Sequence, residues 1–94
     1  MLSTKYIILD RDGVINHDSS SYIKNPREWI PIDRSLDAIG LLTKHSYRVL
    51  LVSNQAGVSR GIIKYKDLIE IHNKFLSCCH EHGGKIFSTY YCYD

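Results

Sequence analysis

The residues best able to do chemistry sit in the stretch "IILDRDGVIN", residues 7–16. There an apolar run ends in Asp10 and Asp12, with Arg11 between them. Strand side chains alternate, so residues two apart point the same way and the one between points away. That rule predicts two carboxylates converging on one spot and Arg11 turned from them. Like charges so placed need a shared proton or a cation. Mg²⁺, which prefers oxygen ligands, is the natural choice. Facing a phosphoryl group, one carboxylate can attack phosphorus and form an aspartyl-phosphate. The other can protonate the leaving oxygen and later take a proton from water. The cation would offset repulsion between anionic nucleophile and anionic substrate.

A second group lies in "VSNQAGVSRG", residues 52–61. The hydroxyl of Ser53 and the amides of Asn54 and Gln55 can hydrogen-bond phosphate oxygens. Gly57 and Gly61 permit tight turns before a helix whose N-terminus favours anions. Arg60 can grip a further anionic group bidentately.

The elements that must hold these groups alternate. Residues 6–9 read as a short buried strand. Residues 13–33 form a long irregular connection punctuated by Pro26 and Pro31. Asp33 reads as an N-cap, and Leu36, Ile39 and Leu42 predict a helix over residues 34–45. "VLLVS", residues 49–53, is a second strand, and residues 54–61 read as a glycine-bearing loop. Leu68, Ile71, Phe75 and Cys79 form the inner face of a helix over residues 65–82, closed by Gly83 and Gly84. A third strand spans residues 85–91. Strand, helix, strand, helix, strand predicts an α/β fold with a parallel sheet. In such sheets ligands bind beyond the carboxyl ends of the strands, where both groups fall.

Ninety-four residues make one domain. Hydrophobic content of 44% and charged content of 23% are ordinary for a globular chain. A net charge of +2, with scattered basic residues, argues against nucleic acid or a membrane surface as partner. No apolar run spans a bilayer and no signal-peptide pattern opens the chain, so the expectation is cytoplasmic. Three cysteines suggest reduced thiols rather than a disulfide framework. "CCHEH", residues 78–82, falls at a helix end, where adjacent residues do not share a face. It reads as small core cysteines with histidines suited to a helix C-terminus. A calcium loop starting at Asp10 fails, because its glycine is fourth and its twelfth residue is Ser21.

"LDRDGVIN" and "VSNQAGVSRG" together resemble the haloacid dehalogenase superfamily of phosphatases. Within it the chain is most similar to the group of D-glycero-D-manno-heptose 1,7-bisphosphate phosphatases and histidinol-phosphatases. "SYIKNPREWIPIDRSLDAI" resembles that group's substrate-side loop and first helix. The resemblance implies a Rossmann-like parallel sheet with flanking helices, here the N-terminal half, C-terminally incomplete. It implies Asp10 as nucleophile and Mg²⁺ ligand, and Asp12 as general acid/base with its main-chain carbonyl on the metal. Arg11, Gly13, Ser53, Asn54, Gln55 and Arg60 are the implied phosphate and substrate contacts. The implied substrate is a small phosphorylated metabolite. The heptose bisphosphate is expected first, histidinol phosphate second, and an inactive remnant serving only as an interaction module third.

Members of this family carry a later lysine and further acids that the chain does not contain. The expectation is therefore weak or no turnover alone. Residues 6–9 are expected at an uncovered sheet edge that favours self-association. Cys92 matches the first cysteine of a zinc motif, but Asp94 stands where its histidine would be, so no zinc is predicted.

Overall fold

Residues 3–93 of the chain are described by a computed structural model. Strand β1 is Lys5–Leu9, followed by the long loop with a single 3-10 turn at Pro26–Glu28. Helix α1 is Ser35–Lys44, strand β2 Tyr47–Asn54, helix α2 Ala56–Ser59, helix α3 Tyr65–Glu81 and strand β3 Ile86–Cys92. The sheet is parallel in the order β1-β2-β3. Leu9 pairs with Leu51, and Asn54 with Cys92. The first two strands therefore release their chains at one carboxyl edge. No described helix is long and apolar enough to cross a membrane.

Three details depart from the sequence expectation. Strand β1 is not buried: Tyr6 and Ile8 are exposed and Ile7 and Leu9 half-buried, because the strand lies at the sheet edge with its outer face uncovered. Residues 54–61 contain the short helix α2, which the glycines had marked as loop. Asp33 is not the cap of α1. The cap position is Arg34, left-handed at φ 68° and without a side-chain cap bond. The hydroxyl of Ser35 instead donates to the Ile15 carbonyl at 2.6 Å, tying the helix start to the loop.

The core lies on one face of the sheet. Leu36 and Ile39 from α1, and Ile71, Phe75 and Cys79 from α3, meet Val49 and Leu51 of β2. The long loop is part of this core, through Ile15, Ile23 and Trp29. Trp29 is fully buried against Phe75 at 5.9 Å. Lys74 clamps the same segment, donating to the Pro26 and Trp29 carbonyls at 2.7 and 2.8 Å. Burial pushes the Cys79 thiol up to about 12, helped by Cys78, which suits an inert core residue. The other sheet face exposes Tyr6, Ile8, Val52, Phe87 and Tyr90 around Arg48. Among the described residues strand β1 is an edge strand, paired with β2 alone.

Helix α3 ends in a Schellman motif. Gly84 N–H donates to Cys79 O at 2.8 Å and Gly83 N–H to His80 O at 3.0 Å, with Gly83 at φ 77°. This turn presses against α1, where a Cβ added to Gly40 would stand 2.1 Å from His82 O. Helix propensity alone favours alanine over glycine by about 1 kcal/mol. Backbone overpacking of this kind costs ~1–3 kcal/mol or more. Gly40→Ala is therefore expected to lower stability by about 2 kcal/mol in urea denaturation. An unchanged midpoint would mean the two helices separate freely.

Candidate active site

The chain leaves β1 at Leu9 and turns at once, so strand alternation stops before Asp10. The Arg11 carbonyl accepts from the N–H groups of Val14, Ile15 and Asn16 at 3.2, 2.8 and 3.2 Å. Gly13 sits at φ 85° and donates its N–H to Asn16 O at 2.7 Å. The turn is thereby closed from within, and the Gly13 N–H is committed to it.

Arg11 does not point away from the carboxylates. It is wholly buried, and its guanidinium meets Asp12 through Nε–Oδ1 at 2.9 Å and Nη2–Oδ2 at 3.3 Å. The alternation rule fails because Arg11 lies in the turn, where an uncompensated buried cation would cost several kcal/mol. Its side chain is consequently not offered to a substrate.

Asp12 accepts two more hydrogen bonds, from Asn16 Nδ2 to Oδ1 and from Gln55 Nε2 to Oδ2, each at 3.0 Å. Gln55 also donates to the hydroxyl of buried Ser53 at 3.0 Å. Burial pushes the Asp12 carboxyl up. The Arg11 bonds and charge, then Asn16 and Gln55, outweigh it and hold Asp12 below the usual carboxylate range. Asp12 is therefore an ionised, fully engaged carboxylate.

Asp10 differs. It is exposed, and one oxygen, Oδ1, accepts the Arg11 N–H at 2.7 Å. Its second oxygen has no hydrogen-bond partner among the described residues. Asn54 is exposed at the end of β2. Arg60 is exposed in the turn after α2 and bonds the Tyr22 hydroxyl of the long loop rather than the Asp12 cluster. The structure thus gathers Arg11, Asp12, Ser53 and Gln55 around one buried charge. It leaves Asp10 and Asn54 open beside them and puts Arg60 with the loop.

Three contributors were missed by sequence reasoning. Asn16 is four residues after Asp12, a spacing that a closed turn after Gly13 could have suggested. His72 and Tyr91 carry no local signal. They enter through tertiary packing alone, with the Tyr91 ring 5.8 Å from the Arg11 guanidinium.

The donors fit Mg²⁺ in kind. The free oxygen of Asp10 and the Asp12 main-chain carbonyl are hard oxygen ligands, and Mg²⁺ is commonly held by one or two carboxylates plus a substrate phosphate. The Asp12 side-chain oxygens are already filled by four donors. Among the described residues no group of three or more His, Cys, Asp or Glu side chains gathers. Cys92 is exposed and reduced, and Asp94 lies outside the described residues.

No family model matches the chain. It is 41% identical over 88 residues to a D-glycero-β-D-manno-heptose-1,7-bisphosphate 7-phosphatase of Neisseria meningitidis, covering 94% of this chain and 47% of that protein. It is 43% identical to the enzyme of the same name from Pseudomonas putida, covering 94% and 50%. Among solved structures it matches the D,D-heptose 1,7-bisphosphate phosphatase of B. bronchiseptica complexed with magnesium and phosphate. That match has a TM-score of 0.92 and 42% identity, over 95% of this chain and 50% of that one. The resemblance read from the two motifs thus holds in sequence and in fold. The chain spans about half the length of the curated relatives it matches.

Removing one partner of a buried pair strands the other charge. Arg11→Met is expected to cost about 3 kcal/mol in urea denaturation, and adding Asp12→Asn should recover part of that loss. Because the folded-state pKa of Asp12 is depressed, its contribution is full above about pH 4 and lost as pH falls through the lower folded value. In an acid titration of stability, Asp12→Asn should flatten that limb. A limb of unchanged steepness would assign acid sensitivity to other groups.

Proposed function

We propose that the chain carries the nucleophile and acid/base portion of a Mg²⁺-dependent phosphatase acting on a sugar phosphate, D-glycero-D-manno-heptose 1,7-bisphosphate. The observation that carries this reading is the inequality of the two carboxylates. Asp12 accepts four donors, so its lone pairs are engaged. Asp10 is exposed with one oxygen free. The relatives' names supply the substrate, and the solved neighbour's magnesium and phosphate agree with the oxygen donors found here.

In this mechanism the free oxygen of Asp10 attacks phosphorus and the bond from phosphorus to the sugar oxygen breaks. The aspartyl-phosphate forms on Asp10, and the sugar oxygen leaves with the proton that a protonated Asp12 gives it. Water then attacks phosphorus, the Asp10–phosphorus bond breaks, and Asp12, giving up one of its accepted hydrogen bonds, takes the proton from that water. Ionised Asp12 suits this second half. The first half needs a proton on Asp12, which the Arg11 pairing opposes. A bound Mg²⁺ supplies charge neutralisation for the anionic substrate. The exposed amide of Asn54, at the same sheet edge, can hold a phosphate oxygen.

Turnover is expected to be slow, since no group of three or more metal-ligating side chains gathers among the described residues. Phosphate release should be measured from heptose 1,7-bisphosphate with Mg²⁺, with histidinol phosphate as the comparison substrate. Slow release that Asp10→Asn and EDTA both abolish is the expected result. Equal release by wild type and Asp10→Asn counts against the reading, and no release at all would leave the interaction-module reading. Self-association belongs to the same proposal, supported by the β1 edge and the apolar outer face. Sedimentation should show a dimer that Ile8→Glu disperses, and a wild-type monomer at high concentration would exclude it.

A further inference from the structure

Arg11 is buried on all sides, yet its Nη1 has no hydrogen-bond partner among the described residues. Something other than Asp12 must hold so costly a group in place. The surface on offer is the Tyr91 ring of β3, 5.8 Å from the guanidinium carbon. Such cation–ring contacts strengthen when desolvated. Tyr91 does not stand alone. Its hydroxyl lies 2.8 Å from Nδ1 of His72 on α3, and the two rings meet edge to face at 5.5 Å. Burial, and then the Arg11 charge, lower His72, so its ring is neutral, and in the tautomer with the proton on Nε2 its Nδ1 accepts a hydrogen bond from the Tyr91 hydroxyl.

The same α3 turn is pinned elsewhere. His72 packs on Phe75 at 6.2 Å, and Phe75 packs on Trp29 of the long loop. A line of contacts therefore runs from the helical core to Asp12.

We propose that Tyr91 and His72 are positioning residues for the reaction proposed above. His72 fixes the Tyr91 hydroxyl, Tyr91 seats the Arg11 guanidinium, and Arg11 holds Asp12 at its place beside Asp10. Neither residue touches a substrate. The link to catalysis rests on the phosphatase reading, whereas the seating of Arg11 does not.

The test uses ¹⁵N-arginine NMR on the whole chain with Tyr91→Phe, His72→Leu and His72→Gln. A buried, ion-paired Arg11 gives a slowly exchanging Nε–H signal. Its exchange should quicken about tenfold in Tyr91→Phe and in His72→Leu, and return toward wild type in His72→Gln, which keeps an acceptor. Amide dispersion in the same spectra reports whether each variant is folded. Tyr91→Phe removes only a hydroxyl, so that arm decides even if His72→Leu fails to fold. An Arg11 signal unchanged in Tyr91→Phe overturns the proposal, as does one unchanged in a folded His72→Leu. Where the wild type releases phosphate, Tyr91→Phe should lower kcat about tenfold with KM unchanged. A kcat that stays constant while the Arg11 signal moves would break the catalytic link. Absence of release from the wild type would instead sink the phosphatase reading and leave the exchange result to judge the seating.

Discussion

A guanidinium with no exposed surface is the constraint around which the rest is arranged. Taking Arg11 wholly and Asp12 largely out of water costs several kcal/mol, and the attraction between them offsets this only with good geometry and further donors. Each requirement recruits an element. The fork of Arg11 meets both Asp12 oxygens because the turn after β1 folds back on itself. Asn16 closes that turn and donates to Asp12. Gln55 reaches the same carboxylate from the end of β2, with Ser53 holding its amide. Tyr91 of β3 faces the cation. All three strands thus converge on one ion pair, and the candidate site is continuous with the core.

The long loop contributes in the opposite sense, through apolar burial rather than charge. Three of its residues, Ile15, Ile23 and Trp29, are core members. The clamp by Lys74 fixes the backbone at Pro26 and Trp29, and Tyr22 at the loop's outer side meets Arg60. Gly57 lies close-packed at that junction, where an added Cβ would press on the Ile63 side chain at 2.7 Å and on Tyr22 at 3.2 Å. A loop of this length is held by the core it helps to build, which explains its order without regular structure.

The fold was largely legible because its signals are periodic and local. Leu68, Ile71, Phe75 and Cys79 announced the buried stripe of α3, and all four are buried. The apolar run of β2 and the closing Gly83-Gly84 were equally plain. The cap of α1 was misread because Ser35 spends its hydroxyl on the loop, a contact twenty residues away in sequence. The candidate site was legible in its residue types and not in its geometry. Asp10 and Asp12 stood out, but the direction of Arg11 depends on where β1 stops. The roles of Tyr91 and His72 depend on how β3 and α3 pack, which no window of the sequence contains.

The burial of Arg11 changes the electrostatics an anionic ligand would meet. Two aspartates alone would present two negative charges at the carboxyl edge of the sheet. With Arg11 fixed between them, Asp10, Arg11 and Asp12 carry one net negative charge, localised on the exposed Asp10. One net negative charge at this edge repels an anionic ligand less than two bare carboxylates would. The same pairing engages both Asp12 oxygens, in four hydrogen bonds, while Asp10 keeps one oxygen without a partner among the described residues. One buried arginine thereby sets two chemically identical side chains apart: it leaves one exposed, and holds the other ionised and in place.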